Sequence, residues 1–417
     1  MQSYRLLKEA LLERNYFLAA APFQSKEIGI TIPTPSRLES YFWYFPATLL
    51  YHLIYYKQLM NSEYQEKFSG PRPLLKSTLR AHFPNLPQIH AMAGSVMYEG
   101  QINDGRTNVL ALLSATVDQL TKGMVGANIA NYVEFNEFVK GKEGRIEGAT
   151  VTDTLGKKQF TIRSKYVVNC TGVMADHLRT LDNPAVPSRI LGSRGTHLIF
   201  RGDLVPEGEG VIIPKTKDGR LLFIINYFGN TMVGTTDDEC EKAFTCKPED
   251  YDIKFIFEEL KPYFGHDFDF EGQLISAWAG MRPLVVQDSN WIQIEEQKVA
   301  DKWGSLTIRQ KADFYFVKGL RKIASVVNSW RARRKEKQQK AKEESQGDGP
   351  RETLPKKKSA KLSRSHEIEI SDSGLVSVMG GKWTSFRRMG EDTIDLILEH
   401  NHAQMKQKGL TEAESPL

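Results

Sequence analysis

Arginine, histidine and glycine residues recur in this sequence where they could bind an anion, accept a proton or admit a cofactor. In the stretch Ser276-Ala-Trp-Ala-Gly-Met-Arg-Pro-Leu284, Arg282 is expected to follow a turn of small residues and to precede a rigid proline. A guanidinium held in this way can form two parallel hydrogen bonds to a phosphate or a carboxylate. An ion pair at the surface is the alternative for the same side chain.

A histidine and a pair of threonines border two apolar segments. Gly195-Thr-His-Leu198 opens one of these segments, and Gly234-Thr-Thr-Asp237 closes another. His197 could face a cleft, where an imidazole titrates near neutral pH and can take part in proton transfer. A core histidine with satisfied hydrogen bonds is the alternative for this position.

Two glycine-containing turns follow strand-like segments. The stretches Val167-Val-Asn-Cys-Thr-Gly172 and Met379-Gly-Gly-Lys-Trp-Thr-Ser385 leave the backbone open to close approach, because glycine has no Cβ. Such turns usually act together with a GxGxxG phosphate-binding turn that joins a strand to a helix. Gly208-Glu-Gly210 lacks the third glycine and the following helix, so we find no such turn in this sequence.

Basic residues are concentrated in one segment of a chain that is otherwise close to neutral. The 417 residues carry a net charge of +5, yet residues 330–362 alone hold twelve Lys or Arg and five Asp or Glu. The remainder is slightly negative, which gives no reason to expect nucleic acid as a partner. The three cysteines form no CxxC pair, and no metal site is expected.

Helical and strand-like patterns alternate along the chain and would position these residues. The pattern predicts helices near 2–20 and 47–60, an irregular segment over 22–40, a parallel βαβ unit over 95–134, a β-meander over 135–163 and an antiparallel sheet over 189–237. Residues 41–56, YFWYFPATLLYHLIYY, are too short to span a bilayer. They suit a membrane interface and a buried core helix equally well.

Taken in order, the GTTD, GxRPL and GGKWT motifs resemble the FAD-dependent glycerol-3-phosphate dehydrogenases of mitochondria and bacterial respiratory chains. The matching stretches are Tyr98 to Asn108, Asn169 to Gly172, Gly234 to Asp237, Ser276 to Leu284, Ser363 to His366, Gly380 to Thr384 and Met389 to Ile394. The resemblance covers the chain except for about residues 290 to 360.

This resemblance implies an α/β (α+β) fold similar to D-amino-acid oxidase, in which an antiparallel-sheet substrate cap interrupts an FAD-binding domain. The expected divisions are 1–20 (a helix of the FAD domain), 21–97 (cap-associated helices), 98–190 (FAD-binding domain), 191–286 (substrate-binding cap), 287–362 (charged, partly disordered insertion), 363–407 (FAD-binding domain) and 408–417 (tail).

The implied reaction is oxidation of sn-glycerol 3-phosphate to dihydroxyacetone phosphate, with FAD as hydride acceptor and a quinone as electron acceptor. Arg282 and Arg364 match the phosphate-binding arginines, His197 is the candidate base, and Thr235 and Thr236 would line the pocket. The expected FAD contacts are Thr171, Gly172, Gly380, Gly381, Lys382, Trp383 and Thr384. The family also implies peripheral attachment to the mitochondrial inner membrane, and a homodimer stays open.

The sequence departs from the family at its beginning, since the strand and GxGxxG turn that hold the FAD pyrophosphate are missing. The FAD-binding domain is therefore expected to be N-terminally truncated. A truncated gene model, a chain from a larger protein and a decayed paralogue are the three explanations, of which we favour the first. A catalytically incompetent binding scaffold and a related amino-acid oxidase are the competing functions.

Overall fold

A computed structural model describes residues 2–60, 68–84, 92–117, 126–214, 216–286 and 365–408. Contacts between Cα atoms divide the chain into one unit of residues 1–9 and 287–358 and another of residues 10–286 and 359–417. The predicted charged insertion over 287–362, Arg364 and almost all of the tail over 408–417 lie outside the described residues. The elements that follow belong to the second unit, apart from the first turns of the N-terminal helix.

Nine helices and fifteen strands are found in the described ranges. The helices are α1 (Gln2–Ala20), α2 (Arg37–Glu39), α3 (Phe45–Leu59), α4 (Lys76–His82), α5 (Asp104–Ala115), α6 (Ala175–Asp182), α7 (Asp250–Phe264), α8 (Phe270–Gln273) and α9 (Phe386–Lys408). A π-helical turn, Ser40–Tyr44, joins α2 to α3. Among these described helices, none has the combined length and apolar character that a bilayer span requires.

The strands form one large sheet and two small ones. They are β1 (Ser25–Thr34), β2 (Arg72–Leu75), β3 (Ala93–Ile102), β4 (Val133–Lys140), β5 (Ile146–Asp153), β6 (Lys158–Arg163), β7 (Val167–Asn169), β8 (Ile190–Phe200), β9 (Glu209–Ile213), β10 (Leu222–Tyr227), β11 (Asn230–Gly234), β12 (Asp238–Cys240), β13 (Leu274–Val285), β14 (His366–Ile370) and β15 (Leu375–Gly380). The small sheets have the orders β4-β5-β6 and β14-β15-β7.

The large sheet has nine strands in the order β12-β8-β11-β10-β9-β1-β3-β2, with β13 also paired to β8. Strand β13 pairs with β8 along its whole length, so β11 and β12 share the opposite edge of β8. All neighbours run antiparallel except β1 and β9. The antiparallel sheet predicted over 189–237 is therefore present.

Helix α7 covers one face of the large sheet. It begins at a capping box in which Glu249 and Asp252 exchange side-chain-to-backbone hydrogen bonds. Leu198 and Phe200 of β8 share a buried apolar cluster with Ile256 and Leu260 of α7. Since successive side chains of a strand point to opposite faces, the side chain of residue 197 lies on the face away from α7.

One sequence-based expectation about the first third of the chain is wrong, because β1 occupies Ser25–Thr34 where residues 22–40 are predicted to be irregular. Residues 21–97 do supply the expected helices, as α2, α3 and α4, but they also supply β1, β2 and the start of β3. Strand β1 is buried along almost its whole length, so it lacks the polar alternation by which a half-exposed strand is recognised.

The parallel βαβ unit predicted over 95–134 is also wrong. Strand β3 pairs antiparallel with β1 and β2, whereas β4 pairs antiparallel with β5 in a separate sheet. Helix α5 does lie between β3 and β4 in sequence, but the order of elements along the chain does not determine which strands pair with each other. The β-meander over 135–163 is confirmed as β4-β5-β6.

Candidate functional site

Three strands of the large sheet bring the GTHL, GTTD and GxRPL motifs together. In β8, His197 lies opposite Gly234 of β11 on one side and opposite Trp278 of β13 on the other. Arg282 is part of β13 and lies opposite Ser193. The expected turn of small residues before Arg282 is thus a continuous strand, because the ladder between β13 and β8 continues through Gly280 to Val285.

The Arg282 guanidinium is held by the residues of the GTTD motif. Its Nη2 donates to Thr235 Oγ1 at 2.8 Å, and its Nη1 donates to the Thr236 carbonyl oxygen at 3.2 Å. Asp237 Oδ1 lies 3.6 Å from the same Nη1. A Cβ on Gly195 would stand 2.3 Å from Arg282 Nη2, so the absence of a side chain there leaves room for the guanidinium. The side chain remains 26% exposed.

A buried hydrogen-bond network fixes the GTTD motif itself. Thr236 is fully buried, and its Oγ1 accepts a hydrogen bond from the Thr196 backbone N–H at 2.9 Å. Asp237 accepts a hydrogen bond from Ser193 Oγ. Thr236 therefore hydrogen-bonds both to β8 and to Arg282. Direct contact of Thr235 and Thr236 with a substrate stays a prediction.

The buried carboxylate of Asp252 anchors this network to α7. It accepts hydrogen bonds from Thr196 Oγ1 at 3.0 Å and from Arg194 Nε at 2.8 Å. Asp252 has no solvent exposure, and a buried charge of this kind is tolerated only when it is paired and hydrogen-bonded. The capping box of α7 and the Arg282 site thus share one carboxylate.

His197 stacks on the indole of Trp278, with the ring centroids 4.2 Å apart and the ring planes 11° from parallel. Burial, with a further contribution from the positive charge of Arg282, lowers the pKa of His197 to about 4, and the negative charge of Asp104 opposes this shift. Within the described part of the chain, His197 Nδ1 is buried without a hydrogen-bond partner. The imidazole is therefore neutral at pH 7.

The turn after β7 is more open than the sequence suggests. The strand-like segment before it forms only the three residues of β7, of which Asn169 is buried and Val168 is 40% exposed. Asn169 Oδ1 accepts a hydrogen bond from Thr171 Oγ1 at 2.7 Å, and its Nδ2 donates to Ser377 Oγ at 3.2 Å. Gly172 has a φ of +60°, and no atom lies within 4 Å of a Cβ built there.

The two glycines of the GGKWTS turn pack closely against neighbouring residues. Gly380 and Gly381 have φ angles of +71° and +85°. A Cβ on Gly380 would lie 2.6 Å from Val285 Cγ2, whereas a Cβ on Gly381 would lie 2.6 Å from Met389 Sδ. The turn therefore rests against the end of β13, three residues beyond Arg282. Trp383 and Thr384 are exposed.

The structure brings together most of the residues predicted from the sequence. His197, Thr235, Thr236 and Arg282 form one cluster, and the GGKWTS turn packs on the same strand as Arg282. Sequence reasoning assigned no role to Trp278, Asp237, Gly195 or Asp104. Each of the first three lies inside or beside a motif that had been recognised, but its contact depends on the register between strands.

A family model described as FAD dependent oxidoreductase (DAO) matches residues 38–320. The chain belongs to this family. In the described ranges of this FAD dependent oxidoreductase, no group of three or more His, Cys, Asp or Glu side chains is arranged to hold a metal ion.

Several glycerol-3-phosphate dehydrogenases are similar to this FAD dependent oxidoreductase. The probable mitochondrial enzyme of Dictyostelium discoideum is 30% identical over 424 residues, which cover 99% of this chain and 54% of the relative. The mitochondrial enzyme of Mus musculus is 30% identical over 410 residues, which cover 96% of this chain and 45% of the relative. The chain spans about half the length of these curated relatives.

A solved structure shares the fold. The structure of the glycerol-3-phosphate dehydrogenase from Bacillus halodurans complexed with FAD matches 94% of this chain and 54% of that chain. The TM-score is 0.58 and the sequence identity is 19%. The expected D-amino-acid-oxidase-like, mixed α/β architecture is therefore confirmed.

The described residues fit the flavin cofactor of this family. The open space at Gly172 would admit a bulky group next to the backbone, and Thr171 beside it is exposed. Trp383 and Thr384 present a second exposed surface after the GGKWTS turn. The residues that would hold FAD are thus Thr171, Gly172, Lys382, Trp383 and Thr384, while Gly380 and Gly381 would act through the shape of their turn.

Proposed function

We propose that this chain oxidises sn-glycerol 3-phosphate to dihydroxyacetone phosphate, with FAD as hydride acceptor and a quinone as electron acceptor. The observation that carries the proposal is the Arg282 guanidinium, fixed by GTTD beside a neutral His197. The names of the relatives supply the substrate, and the arrangement of these two residues is what its oxidation requires.

Arg282 would bind the phosphate dianion. Two of its nitrogens are already fixed by Thr235 and Thr236, so little side-chain entropy is lost when the partly exposed guanidinium binds a ligand. Its planar fork suits phosphate oxygens better than a single ammonium does. Arg364, which lies outside the described residues, is proposed as a second cation for the same dianion.

His197 would take the proton of the C2 hydroxyl. A pKa of about 4 keeps the imidazole in its basic form at pH 7, although it also makes the imidazole a weak base. Arg282 contributes to that low pKa, so a phosphate dianion bound to Arg282 would offset its charge and raise the pKa of His197. Binding of substrate would thereby strengthen the base that acts on it.

The flavin-facing part of the site comprises the turns after β7 and β15. The chemistry that FAD supplies when bound is acceptance of a hydride from C2. Lys382 would place a positive charge beside the cofactor, where it favours negative charge on the reduced ring. Thr171 and Gly172 would receive the cofactor where the backbone is open.

Attachment to the mitochondrial inner membrane is a further part of the proposal. Its support is an exposed apolar surface along α2, the π-helical turn and α3, formed by Leu38, Phe42, Trp43, Leu49, Leu53, Tyr56 and Met60. Apolar and aromatic side chains of this kind favour a bilayer interface. We further propose that electrons pass to a membrane quinone at this surface.

Membrane attachment can be tested by cosedimentation with vesicles of phosphatidylcholine and cardiolipin. The double variant Phe42→Ser/Leu53→Ser is expected to lose most of its binding, because two exposed apolar anchors are removed. Phe244→Ser is the control, since Phe244 is 88% exposed elsewhere on the molecule. Equal sedimentation of both variants would contradict a role for α3.

The catalytic proposal is tested with the purified chain in the presence of FAD. We expect sn-glycerol 3-phosphate to raise the thermal unfolding midpoint more than glycerol or inorganic phosphate does. We also expect flavin absorbance after gel filtration and reduction of a dye on addition of substrate. Stabilisation by substrate without bound flavin would restrict the role to substrate binding. Loss of all three signals would favour a non-catalytic scaffold.

A further inference from the structure

One row of residues crosses the large sheet at His197. Cross-strand pairs place Phe223 of β10, Gly234 of β11, His197 of β8 and Trp278 of β13 directly beside one another. Directly paired residues of neighbouring strands have side chains on the same face. The imidazole therefore has an indole on one side and a glycine on the other.

Gly234 and Trp278 restrict the imidazole from two directions. A Cβ on Gly234 would lie 2.2 Å from His197 Cδ2, so the ring occupies the space that a side chain of β11 would otherwise fill. The Trp278 indole stacks on the ring at a centroid distance of 4.2 Å. The ring can leave this position only by breaking the stack.

We propose that Trp278 is a positioning residue that, with the space over Gly234, fixes the plane of the His197 imidazole beside Arg282. The inference rests on the proposed role of His197 as proton acceptor and names the side chain that orients it. The indole itself is 43% exposed, so it borders the site.

The stacked indole is expected to contribute to the burial that lowers the pKa of His197. A protonated imidazole carries an N–H on both nitrogens, and here the buried Nδ1 has no acceptor among the described residues. The charged groups that act on the ring are Arg282 of β13, which disfavours its protonation, and Asp104 of α5, which favours it. Removing the indole would hydrate the ring and leave both charges in place.

The test is a titration of His197 by NMR in the chain without FAD or substrate. Trp278→Leu is expected to raise the pKa of His197 by about one unit, because burial is the main cause of its low value. The signal is assigned with His197→Gln. Trp278→Phe keeps an aromatic ring against the imidazole, so the pKa of His197 should stay close to its value in the parent chain. The rate at which diethyl pyrocarbonate modifies His197 should rise several-fold in Trp278→Leu alone.

Phe223→Leu is the matched control. Phe223 lies in the same row, three strands away from Trp278 and two strands away from His197, and is similarly exposed, at 39%. It should leave the pKa and the reactivity of His197 unchanged. If Trp278→Leu lowers the unfolding temperature without changing either readout, the indole is merely structural and the inference is overturned. Neither readout requires turnover, so failure of the proposed reaction would be seen separately.

Discussion

The two sides of the candidate site are built differently. On the side of the large sheet, Arg282 is held by Thr235, Thr236 and Asp237, of which Thr236 and Asp237 are buried and hydrogen-bonded to β8. On the other side, β7 has three residues and pairs with β15 alone among the described strands, and the turns that follow are exposed. The contacts of the chain thus fix Arg282, the proposed anion-binding residue, whereas the surface proposed to face the flavin is open.

A carboxylate lies where these two sides meet. Asp176 of α6 accepts hydrogen bonds from Arg179 Nη1 at 2.8 Å, from the Ile190 backbone N–H at 2.8 Å and from Lys242 Nζ at 3.0 Å. Ile190 begins β8, the strand that carries His197. The two sides are therefore joined at one buried anion.

The largest effect on stability is expected from removing the carboxylate of Asp176. Asp176→Ala should lower the free energy of unfolding by about 3–5 kcal/mol, because it removes the buried carboxylate that pairs with Arg179 and accepts from the Ile190 backbone N–H, while Arg179 keeps only its contacts with Glu369 and the Pro187 carbonyl oxygen. Urea unfolding followed by fluorescence measures the loss. Asp267→Ala, at an exposed position, should change little. If the two variants have the same free energy of unfolding, the contacts of Asp176 contribute nothing to stability.

The same carboxylate predicts how stability depends on pH. Hydrogen bonds from Ser188, from the backbone N–H groups of Ile190 and Arg189 and from Lys242 outweigh the effect of burial and hold the pKa of Asp176 well below its ordinary value. A depressed pKa in the folded state stabilises the fold above the unfolded-state pKa, and this stability is lost as pH falls. Since this loss begins near the unfolded-state pKa of about 3.9, unfolding in urea followed from about pH 5 down to about pH 2 should show a steeper decline for the parent chain than for Asp176→Asn.

The next effect concerns the anion site. Arg282→Met should weaken binding of sn-glycerol 3-phosphate by about thirtyfold or more, since loss of a hydrogen-bonded charge pair costs about 2–5 kcal/mol. Arg282→Lys should recover only part of the affinity, because an ammonium cannot reproduce the two-pronged geometry. Isothermal titration calorimetry measures both. Arg163→Met, in an exposed ion pair with Glu147, is the control. Unchanged affinity in Arg282→Met would move the phosphate site elsewhere.

A smaller effect is expected at the glycine that makes room for Arg282. Gly195→Ala would bring a Cβ to 2.3 Å from Arg282 Nη2, so the guanidinium must leave its GTTD partners. We expect about 1–3 kcal/mol of destabilisation and a clear loss of substrate affinity. Gly280→Ala is matched, because Gly280 lies opposite Gly195 in β13 and has no atom within 4 Å of its Cβ position. Equal behaviour of the two would show that the guanidinium is not confined.

The sequence predicted the antiparallel strands over 189–237 well, because their apolar residues follow the strand period. It missed β1, where burial on both faces hides the strand period. It also misplaced β3 and β4 in one parallel unit, because a strand-helix-strand order does not specify hydrogen-bonding partners. Local periodicity thus reported burial of one face but not long-range pairing.

The site shows the same limit. The motifs indicated His197 and Arg282, because their residue types and the neighbouring glycines can be read directly from the sequence. The roles of Trp278 and Gly195 were not visible, because each follows from a register of β8 against β13 that spans about eighty residues of sequence. Such contacts depend on which strands pair and in which register, so a sequence motif alone does not reveal them.

The smallest effect on stability, and the sharpest test of the open side, concerns Gly172. Gly172→Ala and Gly374→Ala both place a side chain at a positive φ, +60° and +89°, and each should cost about 1–2 kcal/mol of stability. Neither Cβ would clash, because the nearest atom at either position is 3.8 Å away, at Gly374. Only Gly172 belongs to the turn proposed to receive FAD. Gly172→Ala should therefore retain less flavin after gel filtration than Gly374→Ala, measured as absorbance per protein. Equal retention would remove Gly172 from the cofactor site and leave the open side without its proposed ligand at that turn.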